Sequence, residues 1–181
     1  MGLHHVDPCP GFAEPGLFYF VNNFIRNYLF YIIKKLNKGT VCKFMNKVED
    51  FKKKYCCPAV IMGDFNDSPV DKSISVALGA KPLVPPYSNA SLYNMFHQFM
   101  KNPFFGTHKY QSEWSILDQI IVSGNLLNSG KLRPENAYIF KASFLFEADK
   151  KNLNVRPKRT YNGLRYNGGY SDHLPIVVEL F

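Results

Sequence analysis

Residues 59–69 read AVIMGDFNDSP, an apolar run that ends in a group of polar residues. The stretch opens with a continuous apolar run, which is typical of a strand buried on both faces. Gly63 then lets the backbone turn, and Asp64 and Asn66 lie on the same side of an extended segment. A carboxylate there could orient a water or bind a metal, and an amide could bind a phosphate oxygen. The alternative is an ordinary turn whose polar side chains satisfy backbone groups.

A second polar block, YSDHLP at residues 170–175, stands directly before the last apolar run of the chain. Its Asp172 and His173 are adjacent. A neighbouring carboxylate commonly fixes the tautomer of a histidine and keeps the ring protonated near neutral pH. The alternative is a surface turn before a strand, closed by Pro175.

A third carboxylate, Asp118, lies inside the otherwise apolar run WSILDQIIVS at residues 114–123. A buried carboxylate needs a partner, and His173 is the natural one. The alternative is an aspartate at the edge of the sheet that faces water.

Composition describes one globular domain. The 181 residues suffice for one sizeable core but not for two, and 46% hydrophobic with 15% aromatic residues excludes a disordered chain. The formal net charge of +8 suits a polyanionic partner, either nucleic acid or another phosphoester. A solvated basic surface accounts for the same charge. The four cysteines lack metal-finger spacing and leave the redox compartment open.

The aromatic-rich segment 17–33 is the one stretch that suggests a membrane. It contains Asn22, Asn23 and Arg26 and is shorter than the roughly 20 apolar residues of a spanning helix. We therefore favour a buried strand followed by a helix and expect no membrane partner. The first seven residues have neither the basic start nor the apolar run of a signal peptide.

Hydrophobic periodicity predicts five strands and two helices. The strands are at 17–21, 59–62, 119–122, 138–146 and 176–180, and the helices are at 41–55 and 70–79. Ser68 is the expected N-cap of the second helix, followed by a proline at its first position. Residues 1–16 are predicted to be an irregular lead-in and 149–170 a long basic loop. Helices between strands favour a layered α/β fold.

Taken together, these blocks resemble the endonuclease/exonuclease/phosphatase superfamily. These are metal-dependent phosphoesterases that include deoxyribonuclease I-like and abasic-site nucleases, and the likeness is to the bacterial endonuclease-family branch. It runs from about Tyr55 to Phe181 and includes GTHKYQSEW at residues 106–114 and the segment 159–175. The resemblance implies a two-sheet sandwich with helices on both outer faces, a four-layer α/β/β/α fold. Residues 17–181 would form the C-terminal portion of one such domain.

The resemblance also implies a role for each polar block. Asp64 would orient the attacking water and Asn66 would bind the scissile phosphate. Asp172 would help to hold a divalent metal, Mg²⁺ or Mn²⁺. His173 would contact the phosphate, as general base or as cationic stabiliser, and Asp118 would hold His173. The implied reaction is in-line attack of water on phosphorus while the metal draws off charge.

The start of the chain departs from the family pattern. The family begins with a strand ending in Asn and a second strand ending in its principal metal-binding Glu, whereas Glu14 here has a loop context. Residues 17–23 look like a middle strand of the family, with Phe24 where a His is expected. We therefore expect a domain that is incomplete at its N-terminus, with weak or no phosphodiesterase activity.

Two classes of function follow. The first is a metal-dependent phosphoester hydrolase acting on nucleic acid or on a sugar, inositol or lipid phosphate. The second is a catalytically inactive remnant that binds phosphate or nucleic acid. No stable protein partner is indicated.

Overall fold

The computed structural model describes residues 29–33 and 58–181, apart from residues 103, 131, 132 and 153. The predicted lead-in at 1–16, the strand at 17–21 and the helix at 41–55 lie outside the described residues. The division into a lead-in and a single domain therefore stays a prediction. The helix expected after the strand in 17–33 is wrong over residues 29–33, which form a strand that pairs with residues 59–63.

Thirteen strands are formed by the described residues. In chain order they are Leu29–Ile33 (β1), Ala59–Asp64 (β2), Ala80–Pro82 (β3), Leu92–Asn94 (β4), His108–Tyr110 (β5), Glu113–Ser115 (β6), Asp118–Ser123 (β7), Pro134–Ile139 (β8), Phe146–Asp149 (β9), Asn154–Pro157 (β10), Tyr161–Asn162 (β11), Arg165–Tyr166 (β12) and Ile176–Leu180 (β13). The helices are short: a π-helix at Ser73–Ala77, 3₁₀ helices at His97–Lys101 and Ser143–Leu145, and one α-helix at Gly124–Leu127 (α1).

The main sheet has five strands in the order β1-β2-β7-β4-β3. Strand β2 runs parallel to β1 and antiparallel to β7. The other strands form four two-stranded sheets: β5 with β6, β8 with β13, β9 with β10, and β11 with β12. The β8–β13 pair approaches the main sheet where β13 contacts β7.

The centre of the main sheet is buried on both faces. Successive residues of β2, from Ala59 to Ile61, are at most 1% exposed, and Ile120, Ile121 and Val122 of β7 are 0% exposed. Such apolar, β-branched runs form strands because both rows of side chains leave water. The strands predicted at 59–62, 119–122 and 176–180 are thereby confirmed, and β2 and β7 extend to Asp64 and Asp118.

The helix predicted over 70–79 is wrong in extent and in its cap. Only a π-helical turn at Ser73–Ala77 forms, and its N-cap is Lys72. Ser68 does not cap it; its own N–H donates to the Asp71 carboxylate at 2.7 Å, and the Ser73 hydroxyl donates to Asp67 at 2.6 Å. These local side-chain bonds hold the chain in turns before a regular helix can begin.

The C-terminal third also differs from its prediction. The strand expected at 138–146 is divided: β8 ends at Ile139, which pairs with Ile176 of β13, and a 3₁₀ helix precedes β9. The expected loop at 149–170 forms the hairpins β9–β10 and β11–β12 instead. Cross-strand pairing sets these boundaries, which local periodicity does not reveal.

Within the described part of the chain, no helix is both long enough and apolar enough to cross a membrane.

Candidate active site

The site begins where two central strands present carboxylates to one another. Asp64 is the last residue of β2 and Asp118 is the first of β7, and the antiparallel register pairs them directly. The apolar runs keep both strands in place up to this point, so the carboxylates lie at the rim of the sheet. Like charges directly opposite one another are unfavourable unless cations or hydrogen-bond donors compensate them.

The turn after β2 holds Asn66 at this rim. Gly63 has φ 139°, which favours glycine, and Asn66 itself is left-handed at φ 53°. The Asn66 N–H donates to Asp64 Oδ1 at 2.9 Å, a local bond that stabilises the turn. Phe65, 1% exposed, packs into the core and donates its N–H to the Leu117 carbonyl at 2.9 Å. The turn is therefore anchored directly before Asn66, at Phe65.

His173 lies against Asp118. Its Nδ1 is 2.6 Å from Asp118 Oδ2, and the two side chains are 23% and 13% exposed. Burial lowers the pKa of His173. The hydrogen bond that Asp118 accepts from the ring and the charges of Asp118, Asp64 and Asp172 together outweigh burial, so the pKa is raised above 6.5. The contact fixes the ring so that Nε2 is the nitrogen left for a substrate.

Thr107, which sequence reasoning gave no role, connects both members of this pair. Its buried hydroxyl accepts from the N–H groups of Leu117 and Asp118, both at 3.0 Å. Its carbonyl accepts from the Leu174 N–H at 2.7 Å, next to His173. One residue therefore positions the backbone on both sides of the Asp118–His173 contact. Its partners are distant in sequence, so no spacing could have indicated this.

His108 and Asp172 complete the polar cluster. The His108 and His173 rings lie 4.6 Å apart between centroids, at 34°. Burial and the charge of His173 are the main causes that lower the pKa of His108. Asp172 is half-exposed, with Oδ2 3.9 Å from Arg159 Nη2. His108 lies in the block 106–114 that carries the family resemblance, but the sequence indicates no role for this residue.

A second set of buried polar side chains supports the turn that follows β2. Asn94 Nδ2 donates to Gln119 Oε1 at 2.6 Å, and Gln119 Nε2 donates to the Asp67 carbonyl at 2.5 Å. Asn94 and Gln119 are 0% exposed. Sequence reasoning missed both, although an amide inside an apolar strand signals a buried partner.

Among the residues that the structure describes, two groups of side chains could hold a cation. His108, Asp172 and His173 bring one ligand atom each within 4.8 Å of one another, and so do Asp64, Asp118 and His173. In the second group Asp118 and His173 already engage each other. Mg²⁺ usually takes one or two carboxylates plus substrate phosphates and waters, and each group offers a carboxylate, Asp172 in the first and Asp64 in the second. Two imidazoles beside Asp172 also suit a softer metal.

The structure thus brings Asp64, Asp118, Asp172 and His173 into one cluster and places Asn66 in the turn beside Asp64. Such a cluster can position a water, donate to a phosphate oxygen and bind a cation.

Comparison with known proteins gives a family match and similar solved structures. The sequence model of the Endonuclease/Exonuclease/phosphatase family matches residues 37–181. An endonuclease/exonuclease/phosphatase family protein from Bacteroides thetaiotaomicron is similar in structure at 16% identity and a TM-score of 0.46, over 83% of this chain and 49% of that one. A mannosyl-6-phosphatase of Bacteroides thetaiotaomicron is similar at 15% identity and a TM-score of 0.46, over 84% and 50%. The chain spans about half the length of these structures. No curated protein matches significantly.

Proposed function

The chain belongs to the endonuclease/exonuclease/phosphatase family, and on that basis we propose that it is a metal-dependent phosphoester hydrolase. The observation that carries the proposal is the Asp118–His173 pair, with a 2.6 Å contact, at the rim where Asp64 faces Asp118. A water and a phosphate held between these groups would have a base on one side and a donor on the other.

Each residue then has a distinct task. Asp64 accepts a proton from the attacking water and orients this water so that a lone pair of the water oxygen faces phosphorus. Asn66 donates its side-chain N–H to a phosphate oxygen. His173 donates from Nε2 to another oxygen as negative charge builds up, and the Asp118 carboxylate favours the protonated ring that this requires. Asp118 and Thr107 act through His173 and are positioning residues.

A divalent cation bound beside Asp172 would draw charge from the phosphoryl group. Mg²⁺ and Mn²⁺ both fit carboxylate ligands, and the nearby His108 favours Mn²⁺ in a direct competition.

Nucleic acid is the proposed substrate, because the chain carries a net charge of +8 and a polyanion gains most from it. We also propose that residues 17–181 form the four-layer α/β/β/α sandwich of the family. The sheet centred on β2 and β7 and the β8–β13 pair packed near it support this arrangement.

The test is hydrolysis of bis(p-nitrophenyl) phosphate and nicking of supercoiled plasmid with Mg²⁺, with Mn²⁺ and with EDTA. Asp64→Asn should reduce kcat by roughly 100-fold or more, since it removes the base. Glu135→Gln is the matched control, because this exposed glutamate on β8 pairs with Arg133 away from the cluster. Turnover that is insensitive to EDTA or unchanged in Asp64→Asn would contradict the proposal. Salt-sensitive DNA binding without any turnover would replace it by the inactive, phosphate-binding alternative.

A further inference from the structure

A basic cavity of about 420 Å³ lies between the β5–β6 turn and the β9–β10 hairpin. Its lining includes four cations, Lys109, Lys151, Arg156 and Arg159, against one carboxylate, Asp149. A concave surface with this balance of charge concentrates anions.

The carboxylate in the lining is already neutralised within the protein. Asp149 is buried and accepts from Lys109 Nζ at 3.3 Å and from Asn152 Nδ2 at 2.9 Å. Lys109 Nζ also donates to the Val155 carbonyl at 3.1 Å, so this lysine fastens the hairpin to β5. Lys109 and Asp149 therefore build the wall of the cavity, and the other three cations of the lining are Lys151, Arg156 and Arg159.

These three cations differ in how firmly they are held. Arg156 donates through Nε to Glu147 at 2.8 Å, which fixes its planar group. Lys151 is exposed and forms no ion pair with any residue that the structure describes. Arg159 is the third, and it connects the cavity to the catalytic cluster.

Arg159 lies between the basic cavity and Asp172 of the catalytic cluster. Its Nη2 is 3.9 Å from Oδ2 of Asp172, and together with Asp172 it lines a smaller cavity of about 260 Å³. Its backbone is held in place, because its carbonyl accepts from Asn167 at 3.1 Å and Gly169 packs directly against it. A Cβ at Gly169 would lie 2.5 Å from that carbonyl oxygen, so the close approach requires glycine.

We propose that this cavity binds a second phosphate group of the substrate, so that the preferred substrates carry two phosphates. The inference rests on the proposed function. The reacting phosphate lies at His173, while the second lies beside Lys151 and the guanidinium groups of Arg156 and Arg159, which match phosphate oxygens in a fork geometry. The second phosphate can be the neighbouring one in a nucleic acid strand or one on a bisphosphorylated small molecule.

A binding experiment tests the cavity without turnover. Pyrophosphate is titrated calorimetrically into the whole chain in metal-free buffer at fixed ionic strength. Lys151→Ala should weaken binding about three- to tenfold, as expected for one partly exposed charge-assisted contact. Lys150→Ala removes the same charge from the adjacent exposed residue outside the lining and should change the affinity less than about twofold. Equal effects of the two variants would overturn the inference.

A turnover experiment then identifies the source of the second phosphate. A dinucleotide with and without a terminal phosphate forms one pair of substrates, and a sugar bisphosphate with its monophosphate forms the other. The two-phosphate member of one pair should have the lower KM, and Lys151→Ala should remove that preference while Lys150→Ala keeps it. Turnover with no preference in either pair overturns the inference and leaves the hydrolase proposal intact. Absence of all turnover defeats the hydrolase proposal, and the calorimetry still decides whether the cavity binds phosphate.

Discussion

Replacing Asp118 by Asn isolates the interaction at the centre of the site. Asparagine has the same shape, and its Oδ1 can still accept from His173 Nδ1–H. The change exchanges a charge-assisted hydrogen bond of about 1.5–3 kcal/mol for a neutral one of about 0.5–1.5 kcal/mol. With the side chains 13% and 23% exposed, we expect a loss of about 1 kcal/mol in the free energy of unfolding. For a chain of this size that lowers the Tm by roughly 2–4 °C.

The pH dependence of this loss has a definite sign. The pKa of His173 in the folded protein is raised above 6.5, and the Asp118 bond and charge are the main causes that raise it. The protonated ring therefore contributes stability that is fully present below its unfolded pKa and is lost as the pH rises through the folded pKa. The Tm difference between wild type and Asp118→Asn should be largest near about pH 5.5 and should narrow toward about pH 9.

Thermal melts across this range in buffer with EDTA measure the effect, and NMR titration of the His173 ring gives the pKa directly. The pKa should fall in the variant, since the burial that lowers it remains. Asp71→Asn is the matched control, because this exposed carboxylate accepts from the Ser68 N–H at 2.7 Å and lies outside the Asp118–His173 pair. A Tm difference that does not vary with pH, or a His173 pKa that is unchanged or higher, would refute the reasoning.

Three further substitutions test the supporting structure. Thr107→Val leaves two backbone N–H groups without their acceptor and should cost about 2–3 kcal/mol, measured by urea unfolding. Thr160→Val is the control, since it removes one bond, from a partly exposed hydroxyl to the Tyr170 carbonyl, and should cost about 0.5–1 kcal/mol. A similar loss in both would show that the Thr107 hydroxyl is not the anchor. Gln119→Leu breaks the buried amide chain and should lower the free energy of unfolding by about 2–4 kcal/mol. Gln98→Leu, at an exposed glutamine that donates to the Met95 carbonyl, should be almost neutral. Comparable losses would contradict the supporting role of Gln119. Gly169→Ala should displace the backbone of Arg159 and weaken pyrophosphate binding in calorimetry, and unchanged affinity would count against a rigid Arg159.

The central strands could be read from the sequence because their signal is local. The apolar runs around Ile61 and Ile121 are unbroken and end in polar residues, and the structure forms β2 and β7 there. The contact of Asp118 with His173 was anticipated by a different rule, that a carboxylate inside an apolar strand needs a partner. The structure places the two in contact, and their catalytic roles stay predictions.

What sequence could not supply is long-range pairing. The hairpins over residues 146–166 lie largely within the basic stretch 149–170 that reads as a loop, and Lys109 holds the first of them through a partner 40 residues away. Thr107 is similar, since its hydroxyl acts on backbone ten and eleven residues further along the chain. The π-helical turn at Ser73–Ala77 was missed for the opposite reason. Very local hydrogen bonds, which the carboxylates of Asp67 and Asp71 accept, override the helical pattern.

For the proposed hydrolysis, the register that sets Asp64 against Asp118 makes activity all-or-none with respect to strand alignment. A shift of β2 by one residue moves Asp64 by about 3.3 Å and turns it to the other face of the sheet, so no partly aligned state retains a weakened site. A population of misaligned molecules would look folded by circular dichroism and would contribute no activity. Substitutions at Ile61 or Ile121 that loosen packing should therefore lower the fraction of molecules with correctly aligned strands. Each correctly aligned molecule should keep its full rate. Active-site titration counts these molecules and so distinguishes this effect from a lower kcat.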